Sequence, residues 1–353
     1  MELVSLFGII IGLVLLMYLA FKGCNIIWLA PVCAMVVAVM GGYSLLDAYL
    51  GDYMAGMSGY VLSWFPAFFL GAVYGKVMDM TGSARSLADW LVRLIGSRFA
   101  VAAVVVPCLL MTYGGISLFV VVFVIYPMGY AIYRAADLPR TLLPGAIAFG
   151  AFGLTMTAIP GTPQIQNLIP TEYYGTTAMA GLPMSIAAII IVGVPGYAYL
   201  EWRVHQARAK GLHFVADPKH KEIDHSEKEL PSWHWLSGLL PLVVVVLMLN
   251  LFPKVLEDSA GIALICGILV CLLMNASQFK IFISAINEGA VGSMSAIMNT
   301  ACAVGFGSVV KVVPGFGLLT RAALNMPGSI LFSEAVAVNL LAGATGSASG
   351  GMS

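Results

Sequence analysis

The sequence predicts an all-α polytopic membrane protein, and three observations carry that prediction. Of 353 residues, 60% are hydrophobic and only 10% are charged. An average soluble domain has roughly 25% charged residues with which to cover its surface. The apolar residues fall into runs of about 17–25, the length that crosses a hydrocarbon core of ~30 Å. Three places inside this apolar territory carry residues that a plain spanning helix does not want. A formal net charge of zero says nothing about partners; the lipid bilayer is the expected one, and no nucleic acid is expected. The six cysteines show no CxxC spacing, so they read as small buried residues rather than as disulfides or metal ligands.

Taken in order, apolar spans are expected at residues 3–21, 26–40, 58–78, 99–111, 116–134, 141–168 and 181–200. The first has no basic n-region and no small-residue cleavage site, so it reads as a retained helix, not a cleaved signal. A polar segment at 201–235 follows, and its five histidines (His205, His213, His220, His225, His234) sit among Lys and Glu, as in a solvated linker. Further spans are expected at 236–252, 259–275, 289–313 and 328–344. Residues 83–95 and 314–324 alternate apolar and charged residues at helical spacing, the pattern of helices lying in the membrane plane.

The three clusters are the sequence's functional signal. They are TYGGIS at 112–117, TAIPGTPQIQN at 157–167 and ATGSASGGMS at 344–353. In lipid each unsatisfied backbone group costs several kcal/mol, so non-helical backbone survives only where it is buried in protein or lines a cavity. Pro160 and Pro163 remove two donors and clash with the preceding turn, so the helix must break there. Such tips and breaks leave N–H groups whose partial positive charge suits an anion. A Lys or Arg at mid-membrane would cost ~2.5–3.5 kcal/mol on the insertion scale. The residues expected to meet a small carboxylate are Thr112, Tyr113, Gly114, Gly115 and Ser117 at the first tip. Thr157, Gly161, Thr162, Gln164 and Asn167 serve at the break, and Gly346, Ser347, Ser349 and Gly350 at the last cluster. Thr162 and Asn167 are expected to face a wet, protein-lined space. Glu334 is the candidate for ion coupling, while Glu288 reads as interfacial. Apart from the coupling ion, H⁺ or Na⁺, no cofactor is expected, and a homo-oligomer is compatible with the reading.

The two halves repeat in hydropathy order. The first span after the linker begins 233 residues after the first span (3 and 236), and the two glycine-rich tips, at about 114 and 347, are separated by the same 233. If the runs flanking 112–117 form a re-entrant hairpin, residues 1–200 cross five times and the repeats have inverted topology. The organisation expected is a first repeat at 1–200 with a cytoplasmic-side hairpin, a cytoplasmic linker at 201–235, and a second, incomplete repeat at 236–353. With the N-terminus outside, only Lys254, Lys311 and Arg321 of the 17 basic residues lie outside, a strong positive-inside pattern. This orientation belongs to a multi-pass protein of a cell (inner) membrane.

Two other classes fit less well. A major-facilitator carrier needs an even number of spans before its linker and a charged loop after its second span, where 41–57 holds only Asp47 and Asp52. An intramembrane protease needs a membrane histidine or paired intramembrane aspartates, and the histidines are all in the linker. A channel also uses hairpins and backbone dipoles, and saturable, counter-transporting flux distinguishes a carrier from it.

At TYGGISLFVVVFVIYP (112–127), LPRTLLPGAIAFGAFGLTMTAIPGTP (138–163) and GSASGG (346–351) the chain resembles the gluconate permease (GntP) family, within the ion transporter superfamily of elevator-type carriers. The resemblance covers nearly the whole chain. It implies two inverted repeats, each with a re-entrant hairpin and an interrupted helix, and secondary active, cation-coupled symport of gluconate or a related sugar acid or hydroxy-carboxylate. It assigns the substrate to the tips at 112–117 and 346–351 and to the unwound stretch at 160–167. Two positions depart from the family pattern. Gly114 stands where the family has a glutamate, and 340–344 holds no counterpart of the family's arginine. The family also continues past the second tip, which is why the second repeat is expected to be incomplete.

Overall fold

The computed structural model describes residues 1–116, 118–155, 159–216, 231–251, 259–324 and 329–345. These residues form helices joined by short connections. The first four are α1 (Glu2–Phe21), α2 (Ile26–Met40), α3 (Met54–Met80, preceded by a π-helical Asp47–Tyr53) and α4 (Ser83–Ile95). There follow α5 (Ala100–Tyr113), α6 (Leu118–Ala135), α7 (Leu143–Ala148, continued by a π-helical Phe149–Leu154) and α8 (Ile165–Tyr174). Next come α9 (Leu182–Ala188), which runs through a π-helical Ile189–Gly193 into α10 (Val194–Ala209). The last five are α11 (Trp235–Leu251), α12 (Ser259–Met274), α13 (Phe279–Val312), α14 (Gly315–Leu324) and α15 (Ile330–Thr345).

Four of these stretches are long and apolar enough to cross a membrane, judged by length and composition among the described residues: Glu2–Phe21, Asp47–Met80, Leu182–Ala209 and Ala276–Val312. Their outward side chains include many large apolar ones; Ile191 and Val291 are 69% and 74% exposed. A soluble protein does not present such a surface, and a lipid-facing one must. The helix over 83–95 falls where its amphipathic pattern predicts. It buries Ala84, Leu87, Ala88 and Leu91 and turns Arg93 outward.

Three expectations are corrected. The spans expected at 58–78 and 289–313 belong to longer helices that start about ten residues earlier. The second runs through Glu288, which forms an ion pair with Lys76 at 3.2 Å. Helix α10 continues to Ala209, well into the segment expected to be linker. Finally, His234 is not solvated: it is 4% exposed.

Contacts divide the chain into two compact units. The first comprises Met1–Phe68 and Gly292–Ser353. Its core is formed by Ile9 and Leu16 of α1, Leu29, Cys33 and Val37 of α2, Phe306 and Val309 of α13, and Val313 just past its end. Small residues set the closest approaches, as in membrane bundles, where helices associate by packing rather than by a hydrophobic effect. A methyl at Gly12 would strike Val37, and one at Gly315 would strike the backbone of Ser5 and Leu6. The Gly315 N–H donates to Ser5 Oγ at 2.8 Å, which docks α14 on α1.

The second unit is Phe69–Val291. Here α11 and α12 pair as a hairpin, with Val245 and the buried Tyr74 filling the space over Gly267. Helix α4 lies on α11, with Gly238 against the Ser83 carbonyl and Trp90 stacked on Trp235 at 4.1 Å. Beneath that stack runs a buried polar network. Ser86 Oγ lies 2.8 Å from His234 Nδ1, and His234 Nε2 lies 3.0 Å from Asn275 Oδ1. Asn275 Nδ2 donates to the Cys271 carbonyl at 2.9 Å and to Ser83 Oγ at 3.1 Å. Ser83 Oγ in turn meets Ser237 Oγ at 2.9 Å. At the start of the linker, Asp137 accepts the Phe214 N–H (3.0 Å) and the His213 Nδ1–H (2.7 Å). These two bonds, that of Phe214 foremost, hold its carboxyl below the ordinary carboxylate range.

Element starts recur at a near-constant interval: 2 and 235 for α1 and α11, 26 and 259 for α2 and α12, 83 and 315 for α4 and α14, 100 and 330 for α5 and α15. The contacts recur as well. Ser5 meets Gly315 in the first unit, and Gly238 meets Ser83 in the second. Residue 238 is 233 after 5, and 315 is 232 after 83.

Candidate functional site

Helix α5 has 14 residues, about 21 Å at 1.5 Å per residue, too short to cross a ~30 Å core. It ends at Tyr113, and the chain reverses through Gly114 and Gly115 into α6. Both glycines are required by what they touch. A methyl at Gly114 would collide with Leu242 of α11, and one at Gly115 would lie 2.8 Å from Pro163 Cγ. Gly115 also has φ +93°, which L side chains rarely adopt.

The predicted break is present. Past the π-helical Phe149–Leu154 and Thr155, the chain runs from Ile159 to Gln164 without helix, then enters α8 at Ile165. Gly161 takes φ +79°, and its N–H donates to the Ala178 carbonyl at 2.8 Å.

Tip and break meet, and side chains make the junction. Gln164 Nε2 donates to the Thr112 carbonyl at 2.7 Å, a second bond to an acceptor that also takes the Gly115 N–H at 3.1 Å. Thr162 Oγ1 donates to the Tyr113 carbonyl at 3.1 Å, and the Tyr113 hydroxyl donates to the Pro160 carbonyl at 3.3 Å. The Thr112 hydroxyl donates to Thr155 Oγ1 at 2.9 Å. Asn167 Nδ2 bridges the Thr162 and Ala178 carbonyls at 2.9 and 3.0 Å. Thr112, Tyr113, Gly114, Gly115, Gly161, Thr162, Gln164 and Asn167 are thus brought to one place.

The expectation that Thr162 and Asn167 face a wet space needs correction. Thr162 is fully buried, and the donor groups of both side chains are engaged with carbonyls of the tip, the break and Ala178. The physical reason is that the prolines and the turn expose carbonyls as well as N–H groups, and the nearest side-chain donors satisfy them. The first turn of α8 is satisfied in part from within, the Asn167 N–H bonding the Gln164 carbonyl at 2.9 Å. Its N-cap residue Gln164 makes no capping bond with its side chain, which is held on α5 instead.

Two participants were not identified from the sequence. Thr155 receives the Thr112 hydroxyl. Asn250, in the last turn of α11, donates through Nδ2 to the Gly161 carbonyl at 2.8 Å and to the Val246 carbonyl at 2.8 Å. A lone amide in an otherwise apolar run was the available signal for Asn250. Ser117, Thr157, Gly346, Ser347, Ser349 and Gly350 lie outside the described residues. Glu334 lies on α15 with an exposed side chain.

Tip and break contribute hydroxyls, amides, backbone dipoles and no charged side chain, all within an apolar helical unit. Among the described residues, that inventory can hold a polar solute by hydrogen bonds. Comparison with known proteins agrees. The chain is 35% identical over 382 residues to the uncharacterized transporter YxjC of Bacillus subtilis (strain 168), covering 98% of this chain and 80% of that one. It is 29% identical over 239 residues to the high-affinity gluconate transporter of Escherichia coli (strain K12), covering 67% of this chain and 51% of that one. It is 26% identical over 236 residues to the Gnt-II system L-idonate transporter of the same organism, covering 65% and 46%. The matched segments therefore span about half the length of the two Escherichia coli proteins. The GntP family permease description matches residues 1–251, and this multi-pass, all-helical membrane chain belongs to that family.

Proposed function

We propose that this protein is a secondary active carrier that moves a small hydroxylated carboxylate, a sugar acid such as gluconate, across the cell membrane by cation-coupled symport. One observation carries the reading: the hairpin tip and the helix break meet inside the apolar second unit through Thr112, Tyr113, Thr162 and Gln164. The first turn of α8 is left to receive a carboxylate, as helix N-termini do. The gluconate and L-idonate transporters among its relatives support the substrate class. An inverted repeat accounts for the recurring element starts and for the matched Ser5–Gly315 and Gly238–Ser83 contacts. Gly114 leaves no carboxylate at the tip, and Leu242 fills the space one would need. The coupling group therefore lies elsewhere, with Glu334 as the candidate.

The test is uptake into proteoliposomes over a panel of sugar acids and simple carboxylates, with Na⁺ and pH gradients imposed separately. Saturable uptake of one or more sugar acids, accelerated by one gradient and showing counterflow, is expected. Non-saturable flux would make the protein a channel, and uptake of none of the panel would remove the substrate assignment.

A further inference from the structure

We propose that Asn250 determines specificity at this site, accepting a hydroxyl group of the bound acid on its Oδ1. The inference rests on the functional reading above and deepens it, because it separates a hydroxylated acid from a plain carboxylate.

The orientation of the Asn250 amide is set by its partners. Two carbonyls, of Gly161 and of Val246, each lie 2.8 Å from Nδ2. A carbonyl only accepts, so the nitrogen must face them and the oxygen must point the other way. That oxygen is buried and has no hydrogen-bond partner. An amide oxygen is an acceptor only, so whatever satisfies it must donate. Its position at the break is also defined. A methyl built on Gly161 would lie 3.0 Å from Asn250 Oδ1 and 3.1 Å from Nδ2, so the amide packs directly on the residue at which the backbone turns. Gln166, in the first turn of α8, has a second buried amide oxygen without a partner, Oε1.

Two acceptor-only oxygens at the break repel a carboxylate and match hydroxyl donors. The division of labour follows from charge. The carboxylate goes to the N–H groups at the start of α8, and the polyol carbons present O–H groups to the amide oxygens. Asn250 Oδ1 is closed off in the conformation described, so its contact with the solute forms as the break parts from α11 during loading.

The test is a cycle that crosses a variant with a change in the substrate. Inhibition constants for uptake are measured with gluconate and with each of its monodeoxy analogues, in the parent protein and in Asn250→Ala. In the parent, one analogue should bind roughly tenfold more weakly than gluconate, the effect of one hydrogen bond in a buried site. In Asn250→Ala that preference should fall to within about twofold, while gluconate weakens toward the analogue. A variant that weakens gluconate and all analogues by one common factor makes Asn250 a structural prop for Gly161 and overturns the proposal. So does a parent that binds every deoxy analogue as well as gluconate, a measurement that needs no variant to fold. Loss of a Na⁺ dependence with the hydroxyl preference intact would reassign Oδ1 to a cation. A parent that takes up no sugar acid at all sinks the functional reading itself, a result distinguishable from each of these.

Discussion

At the scale of single residues, the junction between tip and break depends on side chains that are small or absent. Gly115 combines a left-handed backbone with Pro163 placed where a side-chain methyl would stand. Gly115→Ala should therefore cost about 1–2 kcal/mol from the backbone conformation alone, plus whatever displacing Pro163 requires. Thermal unfolding of the purified protein in detergent should show a clear loss, accompanied by reduced uptake. Gly59→Ala is the matched control. It lies within α3 with nothing within 4 Å of the added methyl, and alanine favours a helix over glycine by ~1 kcal/mol, so no loss of stability is expected. Equal effects at the two positions would mean that the tip conformation is not under constraint. Thr162 and Asn167 belong to the same scale. Their donors hold the carbonyls of Tyr113, Thr162 and Ala178, so their replacement disturbs the break before it touches any solute.

At the scale of elements, the informative assembly is the attachment of α4 to α11 and α12. An in-plane helix buries only one face, and here that face carries serines as well as leucines. The serines are satisfied by His234 and Asn275, residues that adjoin other helices. The Asn275 orientation follows from its donation to the Cys271 carbonyl, so Oδ1 faces His234 and Nε2 must carry a proton. Neutral His234 then accepts from Ser86 on Nδ1. His234→Ala removes both links and strands Asn275 Oδ1 in a buried place, at about 1–3 kcal/mol for the unsatisfied acceptor. A lower unfolding midpoint in detergent is the expected outcome. Trp233→Ala, next to it but 49% exposed, should change the midpoint little. If the two variants unfold alike, the network is not what fastens α4.

At the scale of the whole molecule, the proposed inverted repeat and the distribution of basic residues predict which face each connection occupies. A cysteine at Val215, exposed just past α10, should react with a membrane-impermeant maleimide only from the cytoplasmic side. A cysteine at Thr176, in the connection after α8, should react only from outside. Labelling of both from one face contradicts an odd number of crossings between them and with it the inverted repeat. The six native cysteines are free thiols, four of them buried, so labelling is read against the unsubstituted chain.

What could be read directly was local. Run length and composition identified the membrane helices, alternation identified α4 to its last residue, and proline with glycine identified the break at Gly161, because each depends only on near neighbours in sequence. Packing decided the rest. Glu288 stood at the start of a span in the sequence, and it lies within α13, where its partner is Lys76, more than two hundred residues earlier. His234 read as a solvated linker residue and is buried because Ser86 and Asn275 meet its ring. Asn250 carried no motif, and only the approach of α11 to Gly161 gives it a place in the site. A charge or an amide in an apolar run is costly by itself, and its partner, which decides whether it stays, is chosen by tertiary contact rather than by its neighbours along the chain.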